Sequence, residues 1–313
     1  ESFRRSAHDD YFAGKPTAKS VTFTEVPEMS ARIAGLVSGE YDISVNISPD
    51  QIPTVESYDD LKVEQIVLDN THMLIFWTVG PLEDKRVRQA LSLSIDRDLL
   101  RQALWADKNY TPNGHQLPSY VMYMEDYPTF EYNVEKAKAL LAEAGYNGEE
   151  IVYRFPLNYY LLSTEAAQAM QQMWSQAGLN VKLEPVENWS QVRATDGGHI
   201  RPWSNTHRMP DPLGSFVPQW GKLSGIQNNS RLEDRKWDAP AAFNDAQDVI
   251  LTSTDWDQRQ QAYREALDIW KDEAPGTMLY NPLETYAMRK DITWKPYGLY
   301  YMDLRPYNLQ FAE

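Results

Sequence analysis

Apolar positions recur at helical spacing in several parts of the chain and alternate at strand spacing between them. From Asp84 to Trp105 they fall at Val87, Ala90, Leu91 and Ile95, with Leu99 and Leu100 following, which predicts helix across 84–105. Asn133 is placed to cap a helix whose face is Val134, Ala137, Leu140, Leu141 and Ala144, with Gly145 to end it. Thr164 opens another, with Ala167, Met170, Met173, Trp174 and Ala177 inward and Gly178 as terminator. The stretch Pro240 to Trp270 reads as two helices broken around Ser253-Thr254-Asp255. Strand signals stand between them: residues 21–26, 63–67, 73–79, 151–155, 181–184 and 277–280. Helices alternating with strands predict an α/β layered architecture rather than a bundle or a sandwich.

Three long stretches fit neither period: 108–132, 195–238 and 286–313, all rich in Pro, Gly, Asn, Trp and Tyr. Loops of this length in a compact domain are functional or disordered, and the aromatic content favours function.

Composition narrows the field of activities. Hydrophobic residues make up 42% and charged residues 24%, a globular balance. No stretch approaches the roughly 20 apolar residues needed to span a bilayer. The net charge of −15 repels phosphate backbones, so nucleic acid is not an expected partner. There is no cysteine, which excludes disulfides, thiolate catalysis and cysteine-held metal. His8, His72, His115, His199 and His207 are scattered, with no His-Glu-x-x-His, so no metal site is expected. With no Gly-x-Ser-x-Gly elbow, no phosphate-cradling glycine loop and no assembled acid/base set, neither an enzyme nor a cofactor is expected.

The segment Arg201-Pro202-Trp203-Ser204-Asn205-Thr206-His207-Arg208-Met209-Pro210-Asp211-Pro212 couples an aromatic plane, amide and cationic groups, and stiffening prolines. Such groups suit a pocket with an apolar wall and a few fixed polar contacts. Trp203, Asn205, His207, Arg208 and Asp211 are therefore candidate ligand-binding residues; the competing reading puts Trp203 in the core and the charges on a surface loop. Tyr159 and Tyr160, ahead of the Thr164 helix, fit either a facing wall of the same site or simple packing.

Five strings, in order and at compatible spacing, resemble the family 5 extracellular solute-binding proteins, the peptide- and nickel-type receptors of bacterial ABC importers. They are Tyr11-Phe12-Ala13-Gly14-Lys15-Pro16; Val26-Pro27 with Gly35-Leu36 and Gly39-Glu40-Tyr41-Asp42; Pro81 through Leu91 with Ser94-Ile95-Asp96-Arg97; Asn133 through Tyr146; and Trp174 through Val181. The resemblance implies a periplasmic binding protein-like II fold of two α/β lobes closing over a ligand. It implies a partial first lobe in residues 1–78, a complete second lobe in 79–284 and a return to the first lobe in 285–313, with hinges at Trp77, Thr78 and Asn281. The Tyr11 string lies well inside family sequences, so the N-terminal part of the first lobe is expected to be missing here, and with it the signal peptide. It further implies a periplasmic, monomeric receptor that binds a small solute without cofactor or metal and delivers it to an ABC permease. A peptide is the family default; an opine-like conjugate or an oligosaccharide is the close rival, and a sensor or chaperone-like interaction protein the other class. Two positions depart from the family. Peptide-binding members carry an aspartate for the ligand's α-amino group three residues before the Asp/Glu-Pro pair, where this chain has Arg208. The hinge position usually occupied by asparagine is Thr78. An arginine at 208 repels an ammonium and welcomes a carboxylate or sugar hydroxyls.

Overall fold

The computed structural model describes residues 1–157, 159–193, 197–228, 237–299 and 301–312. Its contacts divide the chain into two units, one of 1–68 with 283–313 and the other of 69–282. The sequence expectation drew these boundaries at 78/79 and 284/285; the contact division falls earlier at both.

Along the chain, the first unit opens with strands β1 (Ser2–Ser6) and β2 (Ser20–Thr24), helix α1 (Met29–Ser38), strand β3 (Ile43–Ser44), helix α2 (Ile52–Glu56) and strand β4 (Leu61–Val67). The second unit begins with β5 (Asn70–Phe76), helices α3 (Lys85–Leu93), α4 (Arg97–Trp105) and α5 (Val134–Ala144), then β6 (Ile151–Pro156), α6 (Ser163–Gln176) and β7 (Val181–Val186). It continues through α7 (Trp189–Val192), β8 (Ile200–Thr206), α8 (Phe216–Trp220), α9 (Ala241–Thr252), α10 (Trp256–Glu273) and β9 (Gly276–Tyr280). The first unit resumes with β10 (Leu283–Arg289), β11 (Ile292–Thr293) and β12 (Gln310–Phe311).

In the first unit β10 is the middle strand of an antiparallel sheet ordered β3-β10-β4, and β1 pairs with β2 in a separate ribbon. Its core is two small apolar clusters, one including Ile33, Leu36, Ile47, Val55, Leu61 and Ala287 and the other Tyr286, Met288, Ile292, Trp294 and Leu309.

The second unit is built on a five-stranded sheet ordered β7-β6-β8-β5-β9. Strand β6 runs parallel to both β7 and β8, while β5 is antiparallel to β8 and β9. Strand β5 is buried along its whole length, as a central strand covered on both faces must be, and its near-continuous apolar run follows from that. Helices α5, α6, α9 and α10 lie close to their predicted bounds; α5 and α10 carry the expected caps, whereas α6 starts at Ser163 after Leu162 without a side-chain cap and Thr164 does not open it. Asn133 Oδ1 accepts from Lys136 N at 2.9 Å, and Asp255 accepts from Asp257 N and Gln258 N. Gly145 follows α5 at φ 70°, a left-handed conformation that glycine adopts without strain.

The single helix expected over 84–105 is in fact two. Asp96 takes an extended backbone and its carboxylate accepts from Leu99 N at 2.9 Å, starting α4 afresh. The break lets Arg97 turn inward. Its guanidinium, fully buried, donates to Met278 O at 2.7 Å, Thr277 Oγ1 at 2.7 Å and the carbonyls of Ser92 and Ile95, tying α4 to β9. Arg88 plays the same part at the other end of α3, donating to the carbonyls of Leu82, Glu83, Glu273 and Ala274.

Candidate functional site

Strands β6, β7 and β8 point the same way, so the segments leaving their C-terminal ends gather at one edge of the sheet, the position where open α/β sheets present their ligand-contacting loops. Strand β8 meets β6 at Tyr153–Ile200, while its pairing with β5 continues to Asn70–Thr206. Beyond Ile200 it is an edge strand on the β6 side. An edge tolerates Pro202, and it leaves room for the segments after β6 and β7 to pack beside it.

The segment after β6 brings Tyr159 and Tyr160, and α7, which follows β7, brings Trp189 and Arg193. Their rings form a chain of edge-on contacts: Tyr159 to Tyr160 at 4.7 Å, Tyr159 to Trp189 at 5.1 Å and Trp189 to Trp203 at 5.7 Å between centroids. Tyr160 also packs on His72 at 4.7 Å, and Ser204 hydrogen-bonds its hydroxyl. Helix α7 is fixed by a capping box in which Asn188 and Gln191 satisfy each other's backbone. Tyr159 is exposed, and Trp189 and Trp203 are half-buried. Predicted residues Trp203, Tyr159 and Tyr160 thus lie in one aromatic cluster.

Beneath the cluster is Arg201. Alternation along β8 places it on the same face as Trp203, and its guanidinium lies 4.9 Å from the ring centroids of both Trp77 and Trp203. Only 7% of the residue is exposed. Its Nε is buried with no partner, and Nη1 has a long contact of 3.4 Å to Pro202 O. It forms no ion pair among the described residues. Burial, with Arg193 adding like charge, pulls its pKa down to about 9. Two other buried polar atoms here also lack partners, Trp189 Nε1 and His72 Nε2.

Asn205 and His207 belong to a second, fully enclosed network. Thr71 Oγ1 donates to Asn281 Oδ1 at 3.0 Å and therefore accepts from His207 Nε2, also at 3.0 Å. His207 Nδ1 is left as an acceptor for Tyr120 and Ser215, at 2.5 and 3.0 Å. Trp220 donates to His115 Nδ1 at 3.0 Å, and an indole nitrogen can only donate, so the His115 proton sits on Nε2 and the Asn205 amide, 2.8 Å away, meets it with its oxygen as acceptor, the amide O and N being exchanged. Burial holds both imidazoles neutral, with His207 lowered to about 3.

The remaining predicted residues are placed apart from the aromatic cluster. Asp211 is committed to Arg259, which donates to both of its oxygens at 3.0 and 2.9 Å, and to Leu213 N at 2.9 Å. Arg208 is exposed. Trp77 lies in the core and Thr78 just after it, both within the second unit, while Asn281 adjoins the crossing at 282/283. Arg201, Arg193, Trp189 and His72 were not among the predicted site residues. Arg201 is the i, i+2 neighbour of Trp203, a spacing that carries meaning only on a strand, and β8 lacks the apolar alternation that marks one.

A separate cavity of about 570 Å³ lies on another side of this unit, lined by Leu93, Phe130, Lys136, Trp270 and Lys271 among others. Its cations are matched: Lys136 pairs with Glu131 at 2.7 Å, and Lys271 donates to the carbonyls of Pro128 and Thr129. Among the described residues no group of three metal-ligating side chains converges.

Comparison with known proteins gives a consistent picture. The family model of bacterial extracellular solute-binding proteins, family 5 Middle, matches residues 1–225. The di/tripeptide-binding protein 2 of Pseudomonas aeruginosa (strain UCBPP-PA14) is 24% identical over 93% of this chain and 55% of its own length. The oligopeptide-binding protein AppA of Bacillus subtilis (strain 168) is 28% identical over 91% of this chain and 55% of its own. The chain therefore spans about half the length of the curated relatives it matches. Among solved structures, the periplasmic binding protein DppA of Helicobacter pylori in complex with the peptide STSA superposes with a TM-score of 0.85 at 20% identity, over 100% of this chain and 61% of that one. AppA of Bacillus subtilis in complex with a nonapeptide gives 0.81 at 22% identity, over 100% and 64%. These likenesses give the fold as that of periplasmic binding proteins.

Proposed function

Because the chain belongs to family 5 of the bacterial extracellular solute-binding proteins, we propose that it serves as the solute-binding component of an ABC importer, holding a small polar solute at the C-terminal ends of β6, β7 and β8 and handing it to a membrane permease. The observation that carries this reading is the aromatic cluster of Tyr159, Tyr160, Trp189 and Trp203, reachable from solvent at its rim and holding unpartnered polar atoms at its base. Polar atoms buried without partners cost stability, and a bound solute recovers that cost by supplying the missing partners. No bond is made or broken in this role. Closure of the units on one another, with ligand contacts shifting an open–closed equilibrium, is the mechanism the family suggests. The chain crosses between units at 68/69 and 282/283, with Asn281 beside the second crossing, which supports pivots near these crossings. The protein acts in the periplasm as a monomer. Peptides are the default solute class, with opine-like conjugates and oligosaccharides as rivals.

Titration of the chain with dipeptides, an opine and raffinose, followed by calorimetry and by tryptophan fluorescence, tests this reading. Binding of one class is expected, weakened roughly fivefold or more by Trp203→Ala, since an aromatic contact in a desolvated site is worth about 1 kcal/mol or more. Binding unchanged in Trp203→Ala and Trp189→Ala, or no binding of any solute, contradicts it.

A further inference from the structure

Five arginines of the described residues are buried, and four of them are satisfied. Arg88 and Arg97 are saturated by backbone carbonyls. Arg154 donates to Glu184, and Arg259 to Asp211. Arg201 is the exception: Nε donates to nothing, and for Nη2 there is no acceptor among the described residues. Nε and Nη2 form the edge of a guanidinium that a carboxylate takes bidentately. The rings of Trp77 and Trp203 each lie 4.9 Å from the guanidinium carbon, so two cation–π contacts hold the group and what it lacks is a hydrogen-bond acceptor. Arg193 stands nearby, exposed, 5.8 Å from the Trp203 ring centroid, and it too has no carboxylate partner among the described residues. In a chain of net charge −15, two guanidiniums about one indole with no carboxylate partner among the described residues are a local reversal of sign. Arg97 likewise has no ion pair among the described residues, yet the fold supplies acceptors for its donors; it supplies none for Nε of Arg201.

We infer that Arg201 is a carboxylate-binding residue, and that the solute is an organic acid or acidic conjugate recognised through its carboxylate, with Arg193 as the second cation and no requirement for a free amine. This rests on the solute-capture reading above and deepens it. The indoles hold the guanidinium rigid, so little side-chain freedom is lost when the anion arrives. Trp189, whose Nε1 is also unpartnered, offers a further donor to the same anion or to an oxygen beside it. A sugar hydroxyl satisfies one donor of Arg201 but leaves its charge buried and uncompensated, which ranks oligosaccharides below acids.

The test compares acid and amide forms of otherwise identical probes: N-acetyl-alanyl-phenylalanine against N-acetyl-alanyl-phenylalanine amide, and indole-3-acetate against indole-3-acetamide. The acids are expected to bind roughly 10- to 100-fold more tightly, the range set by one charge-assisted hydrogen-bonded pair. Arg201→Met is expected to abolish that preference and at the same time to raise the melting midpoint by roughly 2–4 °C, because an uncompensated buried charge is removed. Arg193→Gln, at an exposed position, is expected to weaken acid binding without changing the midpoint. Amides that bind as tightly as acids, acids that bind Arg201→Met unchanged, or a midpoint that falls in that variant would overturn the inference. Binding of raffinose alone overturns it while leaving solute capture intact; binding of no probe and no solute overturns both.

Discussion

The Asp-Pro pair at Asp211-Pro212 shows how one residue's role depends on its partner. Read from the sequence, Asp211 was a ligand contact; in the fold it is the counter-ion of Arg259, itself buried, and the cap of the turn at Leu213. Asp211→Asn should cost on the order of 3 kcal/mol, the penalty for leaving a buried guanidinium unpaired, while leaving acid binding by the folded fraction unchanged; urea denaturation and fluorescence titration measure the two. His207 and His72 give a pH prediction. Burial lowers both from 6.5 to about 3, so the unfolded chain binds protons that the folded chain refuses across that interval. Stability is therefore complete above about pH 6.5 and is lost as pH falls toward 3; His207→Gln should flatten that slope in a melting series. Glu284 in the first unit behaves in the opposite sense. Burial outweighs the hydrogen bond from Asn46 N and raises its carboxyl from 4.5 to about 7. Its contribution is present below pH 4.5 and is lost as pH rises through about 7, a loss that Glu284→Gln should remove.

At the scale of elements, legibility tracked local signals. Helices α5, α9 and α10 were readable because their caps and breakers, Asn133, Gly145 and Asp255, are set by local backbone chemistry. The division of α3 from α4 was hidden because the apolar spacing runs through it; only the inward turn of Arg97, a tertiary demand, explains the break. Strand β8 was unreadable for a different reason. Its sequence, Ile-Arg-Pro-Trp-Ser-Asn-Thr, has no apolar alternation, because its face packs an arginine, an indole and an amide instead of aliphatics. The candidate site was accordingly half legible: the aromatic residues announced themselves, and the arginine between them did not. Close strand packing gives one more test. A Cβ on Gly276 would come within 2.5 Å of Leu74 O and 2.7 Å of the Trp220 ring, so Gly276→Ala should push β9 from β5 and destabilise the second unit by about 1–3 kcal/mol, measured as a lower urea midpoint.

At the scale of the whole molecule, an acidic protein of family 5 keeps two arginines, Arg201 and Arg193, without a carboxylate partner among the described residues, beside the indoles and phenols where its parallel strands end. A receptor of this kind gives up some stability in the empty state and regains it with ligand, so saturating acid probe should raise the melting midpoint in proportion to the logarithm of its concentration. The most direct measurement is hydrogen–deuterium exchange of the intact chain with and without saturating N-acetyl-alanyl-phenylalanine. The account predicts that protection is gained at residues 159–162, 189–193 and 200–206, and that Arg201→Met abolishes it. Protection confined to residues 128–140 and 268–276, around the separate cavity, or protection that persists in Arg201→Met, would contradict it.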